Sequence, residues 1–346
     1  MPASGKMRPC PRVFVLGLAF ALWLLPAPAG AFGPGAHLEF SREILADLVW
    51  LAPALASLLR RFSDDFLYGS IAADITVAKN LTPYREHCHN WQVGFQILDA
   101  AKDEEGQAFA WGYLAHLAAD VVAHNYFVPW KTVADFAHRG LPHLYWEVRF
   151  DHAMPPGRWE EARALARRGF ARHDALLARM LSGTVLPFRL NRRIFDGVFF
   201  INRLSRLRRV REANARRTAL TLLNDEVADV RSIAIALMRD LLARGREADC
   251  LKADPTGQRN LILARSVRRG LRELSRQSRM KNGSDLESRF RKLFRDSIGQ
   301  TLDLPSLEEY TSREQPPKPT RRARARRFVR RLFGRQRTRK QPNPTA

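Results

Sequence analysis

The segment Trp111–His124, WGYLAHLAADVVAH, sets His116, Asp120 and His124 four residues apart. On an α-helix such steps drift by only about 40°, so the three side chains share one face. Their neighbours Leu114, Ala115, Leu117, Ala118, Ala119, Val121, Val122 and Ala123 are all apolar. A helix with those neighbours belongs in a core, where an ionised carboxylate without a partner is strongly disfavoured. A cation is the partner this pattern calls for, since imidazole nitrogens and carboxylate oxygens are donors that Zn²⁺ accepts. A second pair, His143 and Glu147 in HLYWE, repeats the i, i+4 spacing on another expected helix.

Further metal-binding residue types lie upstream. His37 ends FGPGAH, Asp74 ends GSIAAD, and His89 lies in HCHNW, where His87 competes for the same role and Cys88 stands between them. We expect Cys88 to be a buried bystander, because a nitrogen and oxygen donor set is complete without it. All nine histidines lie at or before His173. His138, His152 and His173 read as structural, since a lone histidine on a helix usually serves packing or a local hydrogen bond.

The rest of the chain is consistent with an all-α fold. It has 346 residues, 45% hydrophobic and 27% charged, which excludes a disordered, collagen-like or multi-span membrane chain. Strand alternation is sparse, and helical periodicity predicts helices over 37–62, 90–102, 107–124, 143–151, 158–181, 220–244, 258–279 and 285–297. Pro83, Pro129, Pro142, Pro155, Pro156 and Pro187 are expected to punctuate the connections. In 258–279, Leu263, Val267, Leu271 and Leu274 form an apolar stripe between arginines.

The N-terminus reads as an export signal over residues 1–31. Lys6, Arg8 and Arg12 precede the apolar run from Val13 to Leu25, and Ala29-Gly30-Ala31 favours cleavage before Phe32. The expected location is the periplasm or the cell exterior, with a peripheral position on a membrane left open. After cleavage Cys88 and Cys250 remain, enough for one disulfide and no scaffold. Residues 32–250 are expected to form the helical domain, 251–314 a basic helical extension, and 315–346 a disordered Arg-rich tail without a single acidic residue.

FGPGAH, GSIAAD, HCHNW, GYLAHLAADVVAH and HLYWE, in that order, resemble the bacterial zinc-dependent phospholipase C family, whose trinuclear-zinc helical fold is shared by single-strand-specific nucleases. The resemblance runs from Phe32 to about Asp151. It implies a first zinc on Asp74, His89, His116 and Asp120, and a second on His124, His143 and Glu147. It implies a third on His37, a bridging Asp120, and the amino nitrogen and carbonyl oxygen of Phe32. A free α-amine can yield its proton to a metal, so signal cleavage would complete that site. The spacings from Phe32 to His37 and from Asp74 to His89 match the nuclease branch and favour His89 over His87. Departures are Phe32 for the usual Trp, Ala73 where Pro is common, and a shorter Asp120–His124 interval.

The resemblance implies zinc-assisted phosphodiester hydrolysis, with Asp74 as a candidate to orient or deprotonate the attacking water. The leading expectation is phospholipase C-type cleavage of a phospholipid. The alternatives are a single-strand nuclease and a non-enzymatic zinc-holding envelope protein. Trp91, Trp111, Tyr126, Trp130, Tyr145 and Trp146 could stack on bases, but helix-spaced aromatics more often belong to a core. The net charge of +23 divides unevenly: residues 1–173 carry 17 basic and 17 acidic side chains, residues 174–346 carry 41 and 18. The basic half therefore suits an anionic membrane surface or another polyanion. Within the tail, Phe328, Val329, Leu332 and Phe333 are expected to line a short amphipathic helix over 321–333.

Overall fold

A computed structural model describes residues 32–75, 88–136, 143–181, 188–201, 222–276 and 283–299. The proposed signal segment, His87, His138, the tail with its amphipathic helix and the side chain of His143 lie outside the described residues. Every regular element among the described residues is helical, so the fold is all-α. In chain order the helices are α1 (Pro34–Ala46), α2 (Pro53–Arg61), α3 (Ser63–Ala72), α4 (Trp91–Ala100), α5 (Glu104–Val122), α6 (Val128–Ala134) and α7 (His143–His152). They continue with α8 (Arg158–Arg167), α9 (Ala171–Met180), α10 (Phe188–Ile201), α11 (Asn224–Arg244), α12 (Gln258–Arg276) and α13 (Gly283–Asp296).

Local chemistry explains several boundaries. The helix expected over 37–62 is two helices, because Pro53 disfavours helical backbone at Ala52. Asp47 closes the break by accepting from Val49 N–H at 3.3 Å and from the Trp50 indole at 2.7 Å through its backbone carbonyl. The helix expected over 158–181 also divides, at Gly169, whose φ of +76° ends α8. α4 and α5 start where capping side chains allow: Asn90 accepts from Gln92 N–H and Asp103 from Gly106 N–H, each at 2.8 Å.

α5 is the centre of the core, buried without interruption from Gly112 to Val122. Helices α3, α4 and α11 pack on it. The α3–α5 crossing is close enough to require glycine on both sides. A Cβ on Gly69 would lie 2.0 Å from the Phe109 carbonyl oxygen, and one on Gly112 would lie 2.0 Å from that of Phe66. This approach brings Ser70 against His116 and places the end of α3, with Asp74 in the 3₁₀ turn Ala73–Ile75, beside α5.

Pro129 does not punctuate a connection. It lies within a continuous helical run, which accommodates it through a π turn over Ala123–Phe127. Proline cannot donate to the carbonyl four residues back, and Val128 N–H instead reaches the Ala123 carbonyl. The released Asn125 carbonyl accepts from the Asn260 side-chain amide at 3.2 Å. Beyond the expected boundary at 250, α12 and α13 pack on α6 and the π turn, burying Leu261, Ala264, Val267, Leu271, Phe290 and Phe294. Cys88 and Cys250 are both buried and neither is in a disulfide, so the one bridge the cysteine count allowed is not formed.

Gly112→Ala should lower unfolding free energy by about 3 kcal/mol, the upper end of the usual cost of overpacking. Urea denaturation should show an earlier midpoint; an unchanged midpoint would mean that α3 and α5 stand farther apart than described.

Candidate metal centre

Four elements converge on the Asp120 carboxylate, which is fully buried on α5. His37 Nε2, from α1, lies 3.2 Å from Asp120 Oδ1. His89 Nε2, from the turn before α4, lies 2.9 Å from Oδ2, and His116 Nε2, one turn earlier on α5, lies 3.4 Å from it. Asp74 Oδ1 is 3.4 Å from His89 Nε2. The donor atoms fall into two overlapping clusters, His37–Asp74–His116 and His89–His116–Asp120. Asp74 is the most accessible of these groups, its side chain 17% exposed against at most 1% for the three histidines and Asp120.

Hydrogen bonding on the far side of the rings determines what faces inward. His116 Nδ1 is 2.8 Å from the Ser70 carbonyl oxygen, which can only accept. The hydrogen is therefore on Nδ1, and in the neutral ring it is the lone pair of Nε2 that faces His89 Nε2, 3.1 Å away, and the carboxylate. Burial first, and then the His116 ring stacked 3.8 Å away, lower the pKa of His37. Burial raises the pKa of Asp120, but when the facing rings are protonated the charge of His116 and hydrogen bonds from His116, His37 and His89 outweigh it and hold the carboxyl well below its usual range. Neutral imidazoles directed at an ionised carboxylate need a shared proton or a cation, so the donor set fits a metal ion.

Cys88 Sγ lies 3.1 Å from His89 Nδ1, on the ring edge opposite the nitrogen that meets Asp120. Tyr113 donates to the Cys88 carbonyl at 2.5 Å and fixes this turn from behind. His173 lies outside the cluster, paired with Asp65 at 2.7 Å and stacked on Phe109, while exposed His152 bonds the Val148 carbonyl at 2.6 Å. Both match a structural role.

Phe32 is buried, its ring 4.6 Å from Phe150 and 5.4 Å from Phe40. That packing holds Phe32 in the core, five residues before His37. His124 and Glu147 are also buried but belong to neither cluster, and His143 opens α7 with a side chain outside the described residues. His124 Nδ1 contacts the Pro255 carbonyl at 2.6 Å, which again places the hydrogen on Nδ1.

With this geometry in place, comparison with known families gives a match over residues 36–179 to the profile described as zinc dependent phospholipase C. Residues 36–179 belong to that family. No curated protein and no solved structure matched the chain. The match includes every residue proposed above as a ligand except Phe32, and it ends before α10. The family-matched segment is thus followed in this chain by helices that pack directly on it.

Sequence reasoning missed Asp151. This buried carboxylate, on α7, caps α1: its Oδ1 accepts from Ala36 N–H at 2.7 Å. A Cβ on Gly33 would lie 2.5 Å from its carboxyl carbon, so glycine is needed where the chain turns toward His37. The signal that could have found it is the continuation of the His143–Glu147 spacing to Asp151. Burial pushes its pKa up to about 7, against the opposing bond from Ala36 N–H.

The folded state therefore holds the Asp151 proton more tightly than the unfolded chain, and stability falls as pH rises from about 4 to about 7. In metal-stripped protein, Asp151→Asn should remove this loss. The difference in unfolding free energy between variant and wild type should shift in favour of the variant by up to about 4 kcal/mol across that range. Denaturant titrations at pH 4 and pH 8 measure it; parallel pH profiles would refute the assignment.

Proposed function

We propose that the chain is an exported zinc-dependent phosphodiester hydrolase of phospholipase C type. The observation that carries the reading is the buried Asp120 carboxylate faced by His37, His89 and His116. Asp74, His89, His116 and Asp120 would hold one zinc, and His124, His143 and Glu147 a second. His37, Asp120 and the free N-terminus at Phe32 would hold a third. Zinc bound there supplies positive charge to the phosphate oxygens and makes water acidic enough to ionise near neutral pH.

The remaining steps fall to the chain's own side chains. Asp74 is more exposed than the buried ligands and stands where a water can reach it, which suits it to orient the attacking water and take its proton. Oxygen of that water bonds to phosphorus while the bond from phosphorus to the glycerol oxygen breaks. The glycerol oxygen then takes a proton, so the products are diacylglycerol and a phosphorylated headgroup. A phospholipid is favoured over a polynucleotide because Tyr126, Trp130 and Trp146 are buried, and Trp91, Trp111 and Tyr145 are half-buried against the core. Such rings are poorly placed to serve as stacking platforms.

The basic C-terminal region suits an anionic membrane surface. On α12 the exposed Arg259, Arg265, Arg269 and Arg276 lie opposite the buried Leu261, Ala264, Val267 and Leu271. Among the described residues no helix is long and apolar enough to cross a membrane. Peripheral docking by charge would add on the order of 1 kcal/mol per basic residue near the lipid.

Metal analysis of protein beginning at Phe32 should find close to three zinc ions per chain. Asp120→Asn should lose zinc and diacylglycerol release together, and Asp74→Asn should lower turnover by about 10²-fold or more. Zinc-loaded protein that releases no diacylglycerol from any common phospholipid would refute the reading, and cleavage of single-stranded DNA instead would favour a nuclease. Truncation after Gln315 should weaken binding to anionic liposomes at low salt by at least tenfold; unchanged binding would remove the tail from the membrane role.

A further inference from the structure

The π turn that carries His124 is met by a stretch far beyond the family-matched segment. The Pro255 carbonyl lies 2.6 Å from His124 Nδ1. The side-chain amide of Asn125 donates to the carbonyls of Val121 at 3.0 Å and Asp254 at 2.8 Å. Asn260 returns the contact, its amide 3.2 Å from both the backbone carbonyl and the side-chain oxygen of Asn125. Gly257, at a φ of +52°, presses its backbone on the turn: a Cβ there would lie 2.4 Å from the His124 carbonyl oxygen. The Asp254 carboxylate fixes this stretch by accepting from Thr256 N–H at 3.0 Å and from its hydroxyl at 2.5 Å.

These contacts do more than pack one element on another. A carbonyl can only accept, so Pro255 fixes the hydrogen of neutral His124 on Nδ1 and leaves Nε2 as the lone-pair donor. Free neutral imidazole in histidine favours the other tautomer. Asn260 meanwhile fills the backbone acceptor that Pro129 leaves open, which stabilises the π turn at the residue carrying the ligand.

We infer that Asp254–Asn260 is a clamp that sets the tautomer and orientation of His124, so that the region C-terminal to the family-matched segment is a working part of the metal centre. The inference rests on the reading of His124 as a zinc ligand. Pro255 and Asn260 are positioning residues, acting on the metal through His124.

The test uses the full mature chain labelled with ¹⁵N-histidine and stripped of metal. The His124 ring, identified by the signals lost in His124→Ala, should carry its hydrogen on Nδ1; a ring with its hydrogen on Nε2 would overturn the inference. Zinc titration against a chromogenic chelator gives the second readout. In Gly257→Ala and Asn260→Ala, one zinc should bind about 10- to 100-fold more weakly while the others bind as in wild type. If His124→Ala keeps the full zinc count, the ligand reading itself fails. If His124→Ala loses one zinc but the Asn260 and Gly257 variants bind all of theirs normally, the clamp alone fails. Should Gly257→Ala not fold, Asn260→Ala and the wild-type tautomer decide.

Discussion

An ionised carboxylate with no access to water sits at the centre of this protein. Asp120 is fully buried, in a helix whose other residues are almost all apolar, and its charge is offset by what converges on it. Three imidazoles from three different parts of the chain do so, and two of them present nitrogens without hydrogens when neutral and hydrogen-bonded as described or held below their usual pKa. Such a group of side chains would repel one another without a proton or a cation between them. The fold is arranged around that requirement, since α1, the 3₁₀ turn after α3, the turn before α4 and α5 itself each deliver a donor to one point.

Precision in that convergence comes from backbone rather than from the donors. The glycine contact between α3 and α5 brings the Ser70 carbonyl onto His116, which sets the hydrogen of that ring. Asp151 caps α1 and holds the segment that leads from Phe32 to His37. Pro255 does for His124 what Ser70 does for His116, from a position more than a hundred residues away in sequence. In each case a ring nitrogen or helix end is tied to a backbone or side-chain polar group outside the cluster, and for His116 this leaves Nε2 facing the Asp120 carboxylate.

The charge of the chain and the chemistry of its centre occupy different regions. The proposed ligands lie in a segment of nearly balanced charge, whereas the excess of basic residues falls after residue 173. That excess is consistent with docking at an anionic surface. It does not bear on which bond is cleaved, and the stretch before α12 meets the proposed ligand His124 through an uncharged contact, the Pro255 carbonyl.

Much of this was legible in the chain itself. Helical periodicity gives the all-α class, and the spacing of His116 and Asp120, with His37, Asp74 and His89, identifies the groups that the structure gathers, because chemically distinct side chains leave a visible pattern. The helix breaks at Pro53 and Gly169 and the π turn at Pro129 were less visible, since a proline or glycine marks an irregularity without saying whether the chain stops, turns or bulges. The groups that orient the rings were invisible. Ser70 and Pro255 act through carbonyl oxygens that every residue possesses, so no side-chain pattern distinguishes them. The sequence alone determined which donors are present and that they belong on helices. Only the tertiary structure decided which way those donors face, because that depends on backbone atoms brought together from distant parts of the chain.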